Sequence, residues 1–234
     1  MARMVGLSRN LKPAWLNKAA ELAVLAENVE ETKEALNEYL GFEISSAINI
    51  RKTRELLLNT WYYQDKDSEE IRELALRAFQ SDNSNKIALH WCLMLLNFPV
   101  FAEVCSLIGK ISTIQEEFTV AWLKERLFEA WGERSTLFHS VDKIMKTITD
   151  LGAVKRVKTG AYHAQKTHVT DDETLFVIVK TILKLKEKAY YEPNELSSVS
   201  AFFPFDYQIS HHWVHQHECF QVGNFGGKMV LVSD

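Results

Sequence analysis

Residues 113–170 read TIQEEFTVAWLKERLFEAWGERSTLFHSVDKIMKTITDLGAVKRVKTGAYHAQKTHVT, and their hydrophobic spacing decides how the rest of the chain is organised. Val120, Leu123, Leu127 and Trp131 recur at steps of three and four with Phe128 beside them, which is the spacing of one helix face. Thr119 is placed to cap the start of that helix. Gly132 is placed to close it, because glycine enters the left-handed conformation that helix C-termini often use. A second stripe follows after a short turn: Leu137, Val141, Ile144, Ile148 and Leu151, widened by Phe138 and Met145 and ended by Gly152. Residues 154–157 and 162–169 then alternate as two strands around the turn Lys158-Thr159-Gly160. Two helices, a tight turn and a basic hairpin, in that order, predict a winged helix-turn-helix.

The face of the second helix opposite its stripe carries Thr136, His139, Ser140, Lys143, Lys146 and Thr147. These are hydrogen-bond donors and cations, the set that a helix in a DNA major groove presents. From Lys143 to His168, the cations Lys143, Lys146, Lys155, Arg156, Lys158 and Lys166 stand against Asp150 alone, a local +5 on a chain whose formal net charge is −4. Such a local field points to a polyanion, and double-stranded DNA is the expected partner. Arg134 and Ser135, at the head of the helix, complete the candidate DNA-binding set. In the competing reading, a solvated helix and hairpin merely complete a core, since helix-turn-helix geometry also serves roles without DNA.

The chain of 234 residues divides into three expected units: a helical bundle over 1–112, the winged helix-turn-helix over 113–170, and a helix with a small β-hairpin region over 171–234. Nine glycines and four prolines are few, which favours a mainly α fold over a turn-rich β one. In the first unit, helices are expected over 13–28, 30–40, 45–63 and from Asp67 onward, with Arg51 pairing Glu55 on the third. Residues 87–109 are long and apolar enough to raise a membrane span. His90, Asn97, Pro99 and Glu103 inside them argue instead for a buried helical pair, with the proline in the first turn of its second helix. No membrane association is expected.

In the third unit a helix over 173–188, a short helix over 194–198, an extended aromatic run over 201–207 and a terminal hairpin around 223–227 are expected. Residues 1–12 lack the apolar core and small-residue cleavage site of a secretory signal. Cys92, Cys105 and Cys219 have no paired spacing, so no disulfide framework is expected, and a cytoplasmic, reducing setting fits both features.

Sites for chemistry are hard to find. His211, His212, His215, His217 and Cys219 form the densest set of metal-ligating types, but no His-Glu-x-x-His pattern or second thiol pair accompanies them. Surface histidines near aromatic packing are the expected reading. Gly223 to Lys228 imitates a phosphate loop without its spacing or its following helix. No catalytic residue, metal, cofactor or small-molecule substrate is expected.

Several blocks resemble the BrxA family of bacteriophage-exclusion (BREX) defence systems: Leu89-His90-Trp91, Asn97-Phe98-Pro99-Val100-Phe101, Glu125-Arg126-Leu127, Trp131-Gly132-Glu133-Arg134-Ser135-Thr136, Leu151-Gly152 and Phe202-Phe203-Pro204-Phe205. Residues 1–80 match it only in helix pattern. The resemblance implies a small, mostly helical, non-catalytic cytoplasmic protein that binds double-stranded DNA and is encoded beside a phage-defence methyltransferase and ATPases. It also implies an N-terminal bundle similar to the RNA-antitermination factor NusB. Two other functions stay open: a scaffold that docks other phage-defence proteins through the winged helix, and RNA binding through the bundle.

Overall fold

The chain is mainly helical. The computed structural model describes residues 6–25, 28–63 and 66–233; Ala26 and Glu27, within the helix expected over 13–28, lie outside the described residues. The first half is helix throughout: α1 (Pro13–Leu25), α2 (Val29–Gly41), α3 (Ala47–Trp61), α4 (Glu69–Phe79), α5 (Lys86–Asn97) and α6 (Pro99–Ser112). Local chemistry sets several of these ends. The Asn28 side chain accepts from the Glu30 and Glu31 amides at the start of α2, the Asn85 side chain accepts from Ala88 N at the start of α5, and Pro99 sits in the first turn of α6. On α3, Ile48 is exposed, and Glu55 pairs with its neighbour Arg54 at 2.6 Å rather than with Arg51, while Arg54 also reaches Asn37 at 3.0 Å.

No single helix among the described residues is long and apolar enough to cross a membrane, and α5 and α6 meet at 118°. Every α5 residue from Ala88 to Leu96 is buried, including His90. Trp61 Nε1 donates to His90 Nδ1 at 3.1 Å, so the proton lies on Nε2, which donates to Asn17 Oδ1 at 2.9 Å. Burial, with Lys86 nearby, pushes the imidazole down to about 3 and holds it neutral.

The second half begins with β1 (Glu117–Thr119), α7 (Val120–Trp131), α8 (Ser135–Asp150), β2 (Val154–Lys158) and β3 (Ala161–Ala164). The three strands form an antiparallel sheet in the order β1-β3-β2. Thr119 caps α7 by accepting from Trp122 N, and Gly132 closes it with φ 77°. On α7 only Leu123 and Leu127 are buried, while Trp131, expected on the same stripe, is 36% exposed at the open end of the helix. On α8 the whole predicted stripe except Phe138 is buried.

The expected second strand of the hairpin splits. β3 ends at Ala164, and β4 (Thr167–His168) pairs in parallel with a strand far along the chain, β6 (Phe205–Asp206). Between them run α9 (Asp172–Leu185), β5 (Tyr190–Tyr191) and α10 (Pro193–Leu196); α11 (His211–Gln216), β7 (Val222–Phe225) and β8 (Lys228–Val232) follow β6. The helix α9 stops three residues before the expected end because Tyr190 and Tyr191 extend to pair with β8, and Lys186 turns the chain with φ 53°. Residues 201–207 are not one extended run: Ser200–Phe202 is a 3-10 turn seated on α6. Gly109 makes that seat possible, since a Cβ there would lie 2.0 Å from the Ser200 carbonyl oxygen.

Trp91 donates to the Ala201 carbonyl at 2.9 Å and packs edge-on against Phe101, Phe203 and Phe205. With α9 packed on α4 and α5, residues from all three expected units join one contiguous hydrophobic core. The cysteines are free; Cys92 and Cys105 are buried and Cys219 is exposed, and burial pushes the Cys92 thiol up to about 12.

Candidate nucleic-acid interface

The apolar stripe of α8 fixes which of its side chains look outward. Thr136, His139 and Lys146 are exposed and Lys143 is half-buried, whereas Ser140 and Thr147 are buried. This corrects the polar face drawn from the sequence. Residues 6–11 form a strap across that flank of the helix. Leu7 and Leu11 are fully buried, a Cβ on Gly6 would lie 2.4 Å from Ser140 Oγ, and Leu11 N donates to Thr147 Oγ1 at 2.9 Å. Thr147 Oγ1 in turn donates to the Lys143 carbonyl, so its hydroxyl proton and one lone pair are used inside the protein.

The open flank therefore runs from Arg134, Ser135 and Thr136 through His139 to Lys143 and Lys146. Two carboxylates share it. Lys146 pairs with Asp150 at 2.6 Å, and Asp142, one residue before the cationic run, pairs with Lys124 of α7 at 2.7 Å. Lys124 is nearly buried and also lies 3.3 Å from the Phe138 ring centroid, while Phe128 stacks on Phe138. These contacts, which spacing alone could not reveal, tie α7 to α8.

The hairpin adds its own cations. Lys155, Arg156 and Lys158 are exposed. A bulge between Arg156 and Lys158 and the positive φ of Gly160, 75°, shape its tip. Arg156 is braced by the Lys158 carbonyl and the Thr159 hydroxyl, and Lys158 pairs loosely with Glu117 at 3.4 Å. Val120 N donates to the Gly160 carbonyl, tying the tip to the start of α7. A depression of about 350 Å³ lies between α8 and the hairpin, with Asp142, Lys146, Thr149 and Arg156 in its wall. Lys166 stands apart: it follows β3, and its Nζ donates to the Phe203 carbonyl at 2.6 Å. Its charge is held against the C-terminal segment rather than in the hairpin.

The histidine-rich stretch behaves as surface and packing. His211, His212 and His215 are exposed, and His217 sits 4.2 Å from the Trp213 ring and bonds Asp172. No group of three or more metal-ligating side chains occurs among the described residues. Comparison with family models, with curated proteins and with solved structures finds no match for this chain.

Proposed function

We propose that the protein is a non-catalytic, double-stranded DNA-binding accessory factor, with β1, α7, α8, β2 and β3 forming a winged helix-turn-helix. The observation that carries this reading is the hairpin cation Arg156, which walls a depression together with Lys146 of the open flank of α8, with Lys155 and Lys158 exposed on the same hairpin, on a chain that is acidic as a whole. A sheet ordered β1-β3-β2 behind two packed helices is the arrangement a wing requires, with one helix offered to a groove and the hairpin to the neighbouring phosphates. Arg134, Ser135, Thr136 and His139 occupy the N-terminal turns of α8, where recognition helices meet base edges; Lys143 and Lys146 lie further along, towards phosphate. Ser140 and Lys166 leave the contact set, for the reasons given above.

The resemblance to the BrxA family supports placing such a factor in a phage-defence system, in the cytoplasm, with other defence proteins as further partners. Fluorescence anisotropy with a labelled duplex tests the DNA reading. Binding that weakens steeply as salt rises supports phosphate contact, and binding indifferent to salt favours the protein-docking scaffold.

A further inference from the structure

The strap borders the open flank of α8 on one side and the N-terminal bundle on the other. Lys143 stands three residues after Ser140 and four before Thr147, so it adjoins both of the side chains that the strap covers. On the outer side of the strap Ser8 is exposed and Arg9 is half-buried, and the Arg9 guanidinium donates to Asn49 Oδ1 in the first turn of α3. The strap thereby joins the open flank of α8 to the head of α3. Residues 6–12 and 43–55, which make up this junction, hold five cations and two carboxylates. Both carboxylates are taken, Glu43 by Lys12 and Glu55 by Arg54. Arg9, Arg51 and Lys52 have no ion pair among the described residues, and Arg51 and Lys52 are exposed. Lys52 lies one turn beyond Asn49 and so flanks the residue that Arg9 reaches. The first turn of α3 carries no carboxylate, so the positive end of its dipole adds to the field of these three cations.

We propose that Arg9, Arg51 and Lys52 form a second contact for the DNA duplex, carrying its footprint from the winged helix across the strap onto the N-terminal bundle. The inference rests on the DNA reading above and adds a surface that reading does not use. Its target is the phosphate backbone, because the surface offers unpaired cations, and the path from Lys143 through Arg9 to Lys52 crosses no unpaired carboxylate among the described residues. Helices in direct contact stand about 8–10 Å apart, so α3, with the strap between it and α8, lies roughly 15 Å away. That is about four to five base pairs along a duplex, at roughly 3.4 Å each. A site built from backbone phosphates strengthens binding without adding sequence preference, since phosphates carry no sequence information.

The test compares the natural full-length chain with the variant Arg9→Gln, Arg51→Ala, Lys52→Ala, in which glutamine keeps a donor for Asn49 and the two alanines stand at exposed positions, so the fold is retained. Affinities for duplexes of about 10 and 20 base pairs are measured across a range of salt, because the slope of log affinity against log salt counts the phosphates neutralised. On the longer duplex the variant is expected to bind about tenfold more weakly at low salt, with a slope shallower by about two to three units. On the shorter one, filled by the winged helix, the slopes of the two proteins should differ by less than about one unit. Equal slopes on the longer duplex overturn the proposal, and so does an equal loss on both duplexes, which would place the three cations inside the α8 footprint. Displacement of the longer duplex by single-stranded RNA at a lower concentration than unlabelled duplex requires also overturns it, assigning the bundle to RNA. Failure of the DNA reading looks different: the natural chain then binds neither duplex in a salt-dependent way, and both proposals fall. If substitution of the hairpin cations flattens the slope while this variant does not, the second contact alone is removed.

Discussion

α5 and α8 are both central helices, of twelve and sixteen residues, but their surroundings differ in kind. α5 is enclosed from Ala88 to Leu96, and its one polar side chain in that run, His90, has both ring nitrogens satisfied by other helices. α8 has three strips: an apolar one in the core, one closed by the strap at Ser140 and Thr147, and one open beside the hairpin. A helix enclosed on every side can only hold the fold together. One left open along a single polar strip is where a partner can approach, so stability and recognition should separate between the two helices.

The largest effects are expected at enclosed positions. Leu93→Ala in α5 or Ile144→Ala in the α8 stripe should each cost about 2–5 kcal/mol in urea unfolding, since both side chains are fully buried. A cost below about 1 kcal/mol at either would show that the site is loosely packed.

Next is the pH dependence through His90. Its folded value is lowered to about 3, so below the ordinary histidine range the unfolded chain takes up a proton that the folded chain refuses. Stability is therefore full above about pH 6.5 and falls, by roughly 1 kcal/mol per pH unit for this group, as pH drops towards 3. Unfolding midpoints at pH 7.5 and 5.5 measure the loss. His90→Gln, which can still accept from Trp61 and donate to Asn17, should reduce it, and an unchanged pH slope would assign the loss to other groups.

A smaller difference divides the two polar strips of α8. Thr147→Val leaves the Leu11 amide without its acceptor and should cost about 1–3 kcal/mol. Thr136→Val, on the open strip, should stay within about 0.5 kcal/mol. Equal costs would mean that the strap does not hold this flank. For DNA, Thr136→Ala or His139→Ala should alter binding of the folded protein, where a sequence preference exists, by roughly 1–3 kcal/mol.

How much of this was legible in the sequence depended on range. The helices α7 and α8, most of the α8 stripe, Leu123 and Leu127 of α7, the Thr119 cap and the Gly152 end follow from neighbours within a few positions, whereas Trp131 and Phe138, which the same spacing assigns to the apolar faces, are exposed. The hairpin's first strand and turn were equally local. Its second strand is shorter than local alternation predicts, because Thr167 and His168 pair with Phe205 and Asp206, a partnership no local pattern encodes. The strap shows the same limit. Leu7 and Leu11, four residues apart, were the only signal that residues 6–11 bury a face, and nothing in them named α8 as the face they cover. Spacing alone therefore leaves Ser140 and Thr147 on an open face, where the structure covers them. Asp142, lying one position before the counted cations, hid the ion pair that moderates the field of the open strip.

The most direct test measures duplex binding across a range of salt for the natural chain and for the triple variant Lys155→Ala, Arg156→Ala, Lys158→Ala. If the hairpin meets phosphate beside α8, log affinity falls linearly with log salt, and the variant's slope is shallower by about two to three units. Identical slopes for the two proteins would remove the hairpin from the interface and, with it, the winged-helix reading.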